Sequence, residues 1–220
     1  MYSLLKRIYT QLLEMLFPSE KAERIFLSPE SVEKIALLPR CGEDTVLQEL
    51  QGTACFVYQN SSVKALIRLI KYRGNRHSAH LCGSALAEEC LEILMTGMLF
   101  DAIETPLLIP IPISKERQRE RGFNQSERLA KALIQHINEP LNYAPHLLTR
   151  KSTHIPQAQQ HSKSARLKNM HNIFEASPTV SGKDIILLDD VITTGATMID
   201  ALRALKKAGA RNIYCLALAH

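Results

Sequence analysis

The densest chemistry in the chain lies in one run, Ile185-Ile186-Leu187-Leu188-Asp189-Asp190-Val191-Ile192-Thr193-Thr194-Gly195-Ala196-Thr197. Four consecutive apolar residues read as a strand buried on both faces. Two carboxylates close it, a hydroxyl-rich loop with one glycine follows, and a helix begins at Ala196. Amides at a helix N-terminus are unpaired, and the helix dipole favours an anion there. Thr193, Thr194 and Thr197 add hydroxyl donors, and Gly195 lets the backbone approach a ligand closely. Asp189 and Asp190 repel a phosphate and must face something else. Sugar hydroxyls and a hydrated Mg²⁺ are suitable partners. The pattern therefore fits a sugar phosphate bound beyond the carboxyl end of a parallel strand. A turn followed by a capped helix needs neither two acids nor this loop. The run lacks the Gly-Lys-Ser/Thr ending of a Walker A loop and the glycine spacing of a dinucleotide fingerprint.

A second block, Lys115-Glu116-Arg117-Gln118-Arg119-Glu120-Arg121-Gly122-Phe123-Asn124-Gln125, mixes both charges. On a helix, Arg117 and Arg121 share one face. Guanidinium forks match phosphate oxygens, so this pair suits a pyrophosphate. A solvated, salt-bridged surface is the ordinary meaning of such mixed charge, and the pattern alone favours it. Gly122 to Gln125 open the next helix. Asn124 and Gln125 can serve there as cap and packing, or can read a base or organise the loop. Lys71 and Arg73 stand at a helix end, where the dipole favours cations with or without an anionic ligand. The eight histidines show no metal-ligand spacing.

These residues need a frame. Thr53 to Tyr58 is a strand candidate. Asn60 or Ser61 caps a helix bearing Val63, Leu66, Ile67 and Ile70, which Gly74 stops. A longer helix is expected from about His77 to Met95. Pro106 to Ile113 forms a buried strand whose prolines take it out of the sheet early. A basic helical stretch runs from Ser114 to about Ile137. Residues 138–170 hold Pro140, Pro145, Pro156 and a polar run, and read as a long connection of the kind that forms functional lids. The strand Asp184 to Leu188, the helix Ala196 to Ala208, a stop at Gly209 and the strand Asn212 to Leu218 make one βαβ unit. The fold expected is α/β: a parallel sheet of about five strands flanked by helices, with a small N-terminal hood. Residues 1–52 form the helical N-terminal region, and 53–220 the main domain.

Composition narrows the class. The 220 residues are 45% hydrophobic, enough for one good core, and the net charge is +5. A pI near 9.0 suits an anionic substrate or a weak nucleic-acid partner without choosing between them. Five scattered cysteines without a Cys-x-x-Cys pair point to reduced thiols in the cytoplasm and give no local zinc signature. The first seventeen residues carry Leu4, Leu5, Ile8, Leu12, Leu13 and Leu16 at helical spacing. Lys6, Arg7 and Glu14 break the run as a signal peptide or membrane span. That segment reads as an amphipathic helix packing on its own domain.

The Asp189-to-Thr197 run resembles the motif of type I phosphoribosyltransferases that binds 5-phosphoribosyl-1-pyrophosphate (PRPP). The resemblance implies that Asp189 and Asp190 contact the ribose hydroxyls, with Mg²⁺ nearby and held in part through water. It implies that Thr193, Thr194, Gly195, Ala196 and Thr197 hold the 5-phosphate. Ala196 stands where many members have glycine. Three further segments resemble the ComF branch, competence-related proteins of this type. They are Lys71-Tyr72-Arg73-Gly74; Pro110 to Ile113 with Arg117, Arg121 and Gly122 to Gln125; and Gln157 with Arg166, Asn169 and Phe174. Together they cover about residues 53 to 220 in matching order. By this resemblance Arg117, Arg121, Lys71, Gln157 and Arg166 attend the pyrophosphate or its closing loop. Many ComF members begin with paired cysteines resembling a zinc knuckle. Here Phe17-Pro18 leads into a segment without them, so no zinc is expected.

Three functions are compatible with these residues. A transferase would pass the phosphoribosyl group of PRPP to a nitrogen acceptor, and this is the preferred expectation. A PRPP sensor would bind without reacting. A nucleic-acid-handling protein would bind single-stranded DNA or the DNA-uptake machinery, which the ComF resemblance implies. Interleaved acids and few aromatics argue against a strong base-stacking platform.

Overall fold

A computed structural model describes residues 23, 26–27, 31–73, 76–151 and 172–220. The expected amphipathic helix, Gly74, and the loop residues Gln157, Arg166 and Asn169 lie outside these.

Two short helices lead in, α1 (Ser31–Ala36) and α2 (Thr45–Glu49). Strand β1 (Gly52–Phe56) precedes α3 (Ser61–Arg68). Asn60 caps α3, accepting from the amides of Ser62 and Val63. The helix continues into a π-helical turn, Leu69–Arg73. Next comes α4 (Arg76–Phe100), 25 residues long and five longer at its C-terminal end than its spacing predicts. Strand β2 (Leu107–Pro110) is short, and the prolines do end it. The basic stretch divides into two helices where Gly122 to Gln125 were expected to open the second: α5 (Lys115–Arg121) and α6 (Gln125–Ile134). Gly122, at φ 77°, makes the left-handed break between them. Strands β3 (Asn142–Tyr143), β4 (Leu148–Arg150) and β5 (Phe174–Ala176) follow. The βαβ unit closes the fold as β6 (Ile185–Val191), α7 (Ala196–Lys207) and β7 (Ile213–Ala219).

Five strands form one parallel sheet in the order β1-β7-β6-β2-β3. Strand β6 lies at its centre, between β7 and β2. Its alternate side chains feed two cores, one per face. Ile186 and Leu188, with Leu216 and Leu218 of β7, pack against residues of α3, α4 and α6. Ile185 and Leu187, with Cys215 and Ala217, pack against α7 and against Leu47 and Leu50. The four consecutive apolar residues Ile185 to Leu188 are fully buried, each contributing about 1.5–3 kcal/mol. Where α4 meets α6, a Cβ on Gly83 would lie 2.7 Å from the Ala132 carbonyl, so only glycine permits that approach.

Strands β4 and β5 pair antiparallel apart from the main sheet, and Arg150 lies opposite Phe174. They bracket residues 152–171. The carboxyl ends of β6, β7 and β2 open toward the same edge, and the chemistry collects there.

Candidate functional site

Asp189 and Asp190 are not past the end of β6 but within its last turn of pleat, hydrogen-bonded in register with β7. Successive side chains leave a strand on opposite sides, so the pair diverges. Asp189 Oδ1 accepts from the Ser126 hydroxyl at 2.9 Å and from the Asp190 amide at 2.8 Å. Asp190 Oδ2 lies 2.9 Å from Lys71 Nζ, an ion pair that is mostly buried. That oxygen makes no well-aligned hydrogen bond among the described residues. Burial first, and then the charge of Asp190, push the Asp189 carboxyl up to about 7. Two acids this close, held in a partly dry place, are a site that calls for positive charge.

Lys71 reaches Asp190 because the helix carrying it widens into the π-helical turn. Such bulges re-aim side chains and recur at functional sites.

The loop after β6 leads to Gly195, the residue before α7, at φ 72°. No side chain caps this helix, so its first amides face the loop. An added Cβ at Gly195 would meet Val46 and Leu50 of the α2 region at 3.2 and 3.3 Å. The loop therefore sits directly on α2. Asp189, Thr193, Thr194, Gly195, Ala196 and Thr197 line an open hollow at the surface. An uncapped helix end and the Asp189 carboxylate thus share one hollow.

Asn124 is the N-cap of α6: its Oδ1 accepts from the Ser126 amide at 3.1 Å, and its Nδ2 donates to the Ile111 carbonyl at 2.9 Å. With Gln125 and Ser126 it is buried. Its work is to fasten α6 to the end of β2 and to present Ser126 to Asp189, which favours the capping reading over base recognition.

The two arginines expected to act as a pair are separated by their surroundings. Arg121 stacks over the Tyr72 ring at 5.2 Å and donates to the Gln125 side-chain carbonyl. Arg117 is exposed on α5. Its charge is felt by Arg150, at the end of β4, whose guanidinium is pushed down from its ordinary value by burial and then by Arg117. Asp189 and Asp200 act on Arg150 in the opposite sense. Arg150 also packs over the Phe174 ring at 5.4 Å. Arg117 and Arg150 thus bring like charge toward the acidic pair from two different elements.

Ser126, Arg150 and Asp200 were not legible as site residues. Asp200, buried on α7, accepts from the amides of Asn172 at 2.8 Å and Ile173 at 2.7 Å. It pins the chain leaving residues 152–171 onto the helix behind the loop. Only Ser126 carried a signal, through its place after Asn124-Gln125. Arg150 and Asp200 are brought in by tertiary structure alone.

Comparison with known proteins agrees with this geometry. The sequence profile of the phosphoribosyl transferase domain matches residues 124–220, from the α6 cap through β7. The DNA utilization protein YhgH of Salmonella typhimurium is 30% identical over 201 residues, covering 84% of this chain and 85% of that one. Competence protein ComFC of Bacillus subtilis is 38% identical over 103 residues, 47% of this chain and 39% of that one. YhgH of Escherichia coli O157:H7 is 30% identical over 142 residues, 60% of each. The chain thus matches only 60% and 39% of the length of these last two relatives. Among solved structures, the glutamine PRPP amidotransferase of B. subtilis superposes with a TM-score of 0.42 at 18% identity, covering 69% of this chain and 30% of that one. The parallel sheet and the matched domain define a type I phosphoribosyltransferase-like fold. Within that class, the chain belongs to the ComF family.

Proposed function

We propose that the edge of the sheet beyond β6 binds PRPP with Mg²⁺ and that the protein transfers its phosphoribosyl group to a nitrogen acceptor. The observation that carries this is the hollow after β6, in which an uncapped helix N-terminus and the Asp189 carboxylate face the same space, with Asp190 next to it on the strand. A 5-phosphate matches the amides and hydroxyls of Thr193 to Thr197. The ribose hydroxyls match the acceptor oxygens of Asp189 and Asp190. Arg117, Arg150 and Lys71 supply positive charge for the pyrophosphate, and Arg121 braces the turn that carries Lys71.

Hard carboxylate oxygens, one of them lacking a well-aligned partner, are a fitting donor set for Mg²⁺. Asp189 and Asp190 would hold it, in part through water, and it would supply charge neutralisation for the pyrophosphate. Lys71, which pairs with Asp190, would add its charge on the leaving-group side. The residues act by positioning and electrostatics. The ribose C1–O bond breaks, pyrophosphate departs with the electron pair, and the acceptor nitrogen supplies the pair for the new C1–N bond. Positive charge on Arg117 and Arg150 stabilises the departing anion.

The names of the relatives favour a setting for this chemistry. Competence and DNA utilization proteins handle DNA, and the exposed basic face of α5 suits a phosphate backbone. We place the PRPP site in the service of DNA uptake or use, with single-stranded DNA or an uptake component as partner.

Calorimetric titration of the protein with PRPP, with and without Mg²⁺, tests the site. Mg²⁺-dependent binding that is lost in Asp189→Asn/Asp190→Asn is expected. Absence of binding by folded wild type would overturn the reading. Pyrophosphate release across a panel of nitrogen acceptors separates transferase from sensor. A gel-shift series in rising salt tests the DNA partner.

A further inference from the structure

His220 follows β7 directly, and its ring lies beneath the loop. Nδ1 is 3.0 Å from the carbonyl oxygen of Ile192, the residue just before Thr193. Nε2 is 3.0 Å from Oδ1 of Asp44. Both partners accept. A carbonyl has no proton to give, and Asp44 is held in its ionised form chiefly by the Val46 amide, with His220 contributing. Each ring nitrogen therefore needs a hydrogen, and the neutral ring has only one. In the neutral ring one contact is lost, and a lone pair is set against an oxygen.

Both partners lead to the loop. Ile192 is clamped from two sides: its amide donates to the Ala219 carbonyl at 3.0 Å and its carbonyl accepts from His220. Asp44 is the N-cap of α2, accepting from the Val46 amide at 2.8 Å. Val46 and Leu50 are the side chains that a Cβ at Gly195 would meet first. One imidazole thus ties the entry of the loop, at Ile192, to the helix that supports its far end, at Gly195. The ring is largely buried, which keeps water from replacing either contact.

We propose that His220 is the positioning residue of the Thr193–Thr197 loop: its doubly donating ring fixes the spacing between Ile192 and α2, and with it the loop's fit to a sugar 5-phosphate. This rests on reading that loop as a phosphate site. Asp44 is the charged group facing the ring, and the half-buried thiol of Cys41 lies near Asp44. Loop geometry then depends on one side chain that touches no ligand. Ribose 5-phosphate reports this directly, since it lacks the pyrophosphate that other residues bind.

The experiment has two arms. In the first, the ring ¹⁵N signals of His220, assigned by their loss in His220→Gln, are followed from pH 5 to 9 beside the backbone amides of Thr193 to Thr197. Ring signals and Thr193 to Thr197 amides that move together across the series are the expected result. Loop amides indifferent to the ring overturn the proposal whether or not any ligand binds. In the second arm, ribose 5-phosphate and PRPP are titrated into wild type, His220→Gln and Asp44→Asn. Asparagine still caps α2, so Asp44→Asn keeps the helix while removing the anion. Both variants should bind ribose 5-phosphate about ten-fold more weakly than wild type, with the Thr193 to Thr197 amide signals displaced in both. Unchanged affinity with undisplaced loop amides would sink the proposal. Failure of wild type to bind either ligand would instead overturn the PRPP reading and leave the first arm to decide the role of His220.

Discussion

Strand β6 has aspartates at both of its ends, and they live in opposite ways. Asp184, just before the strand, is almost completely buried and fully engaged. It accepts from Arg211 Nε at 2.8 Å and from Asn212 Nδ2 at 3.1 Å, and a second guanidinium nitrogen of Arg211 joins them. Despite burial, these donors hold its carboxyl below the ordinary range. At the other end, Asp189 is pushed up and Asp190 faces one lysine. The first carboxylate is a structural part with its partners supplied by the fold. The second pair has been given a charge problem that the fold does not finish solving. In a parallel sheet the carboxyl edge is the place for a ligand, and the unsolved charge lies on that edge.

Removing charge at the two ends should therefore do opposite things. The largest effect expected is on binding. Asp189→Asn/Asp190→Asn should weaken Mg²⁺-dependent PRPP binding by about 100-fold or more, about 2.7 kcal/mol, by calorimetry. Its unfolding midpoint should stay level or rise, because a crowded acidic pair destabilises the free protein. Asp184→Ala should reverse the pattern. It strands Arg211 and the Asn212 amide, at a cost of about 2 kcal/mol. In a chain of this size that lowers Tm by roughly 5 °C. PRPP affinity should not change. If Asp184→Ala were neutral and the double variant fell apart, the assignment of structure to one end and function to the other would be reversed.

A smaller effect tests the loop itself. At φ 72°, Gly195→Ala carries a left-handed cost of about 1–2 kcal/mol and crowds Val46 and Leu50. Ribose 5-phosphate should bind several-fold more weakly, and thermal stability should drop modestly. Ala196, which follows as the first residue of α7, should tolerate glycine with little change in ligand affinity.

How far the sequence led can be traced along this same strand. Four apolar residues, two acids and a hydroxyl loop are contiguous, so β6, the loop and α7 were readable as one unit. Gly209, at φ 88°, stops α7 as its position suggested. The pyrophosphate side was harder, because helical spacing says which residues share a face but not what lies opposite. Arg117 and Arg121 share a helix and a spacing, yet Tyr72 and Gln125 engage one of them and Arg150 neighbours the other. Arg150 is distant in sequence from every motif and enters only because β4 pairs with β5. Asp44 and His220 were invisible for the same reason: each is an ordinary residue until the parallel sheet brings β7's end beneath the loop. The break at Gly122 was legible, since Gly122 to Gln125 read as the opening of a second helix within the basic stretch.

The finest test of the contrast is the pH dependence of stability. Asp184 has a lowered folded pKa. Its stabilisation is present above the unfolded value, about 3.9, and is lost as pH falls through the folded one. Asp189 has the opposite sign. With its carboxyl raised to about 7, its destabilisation is absent at low pH, grows as pH climbs from about 3.9 toward 7, and is complete above that. Urea unfolding of wild type, Asp184→Asn and Asp189→Asn, measured from pH 3 to 8 without Mg²⁺, separates the two. The variants should lie on opposite sides of wild type at pH 8, Asp184→Asn less stable and Asp189→Asn more. The difference that comes from ionisation of Asp189 should shrink toward zero near pH 3, whereas that of Asp184 should only begin to shrink there, because its folded carboxyl stays ionised to lower pH. Adding Mg²⁺ and PRPP at pH 8 should reverse the order for Asp189→Asn alone, because the ligand restores the charge balance in wild type that the substitution imitates. A ligand that stabilised wild type and Asp189→Asn equally would mean that the carboxyl edge is strained for some reason other than the site.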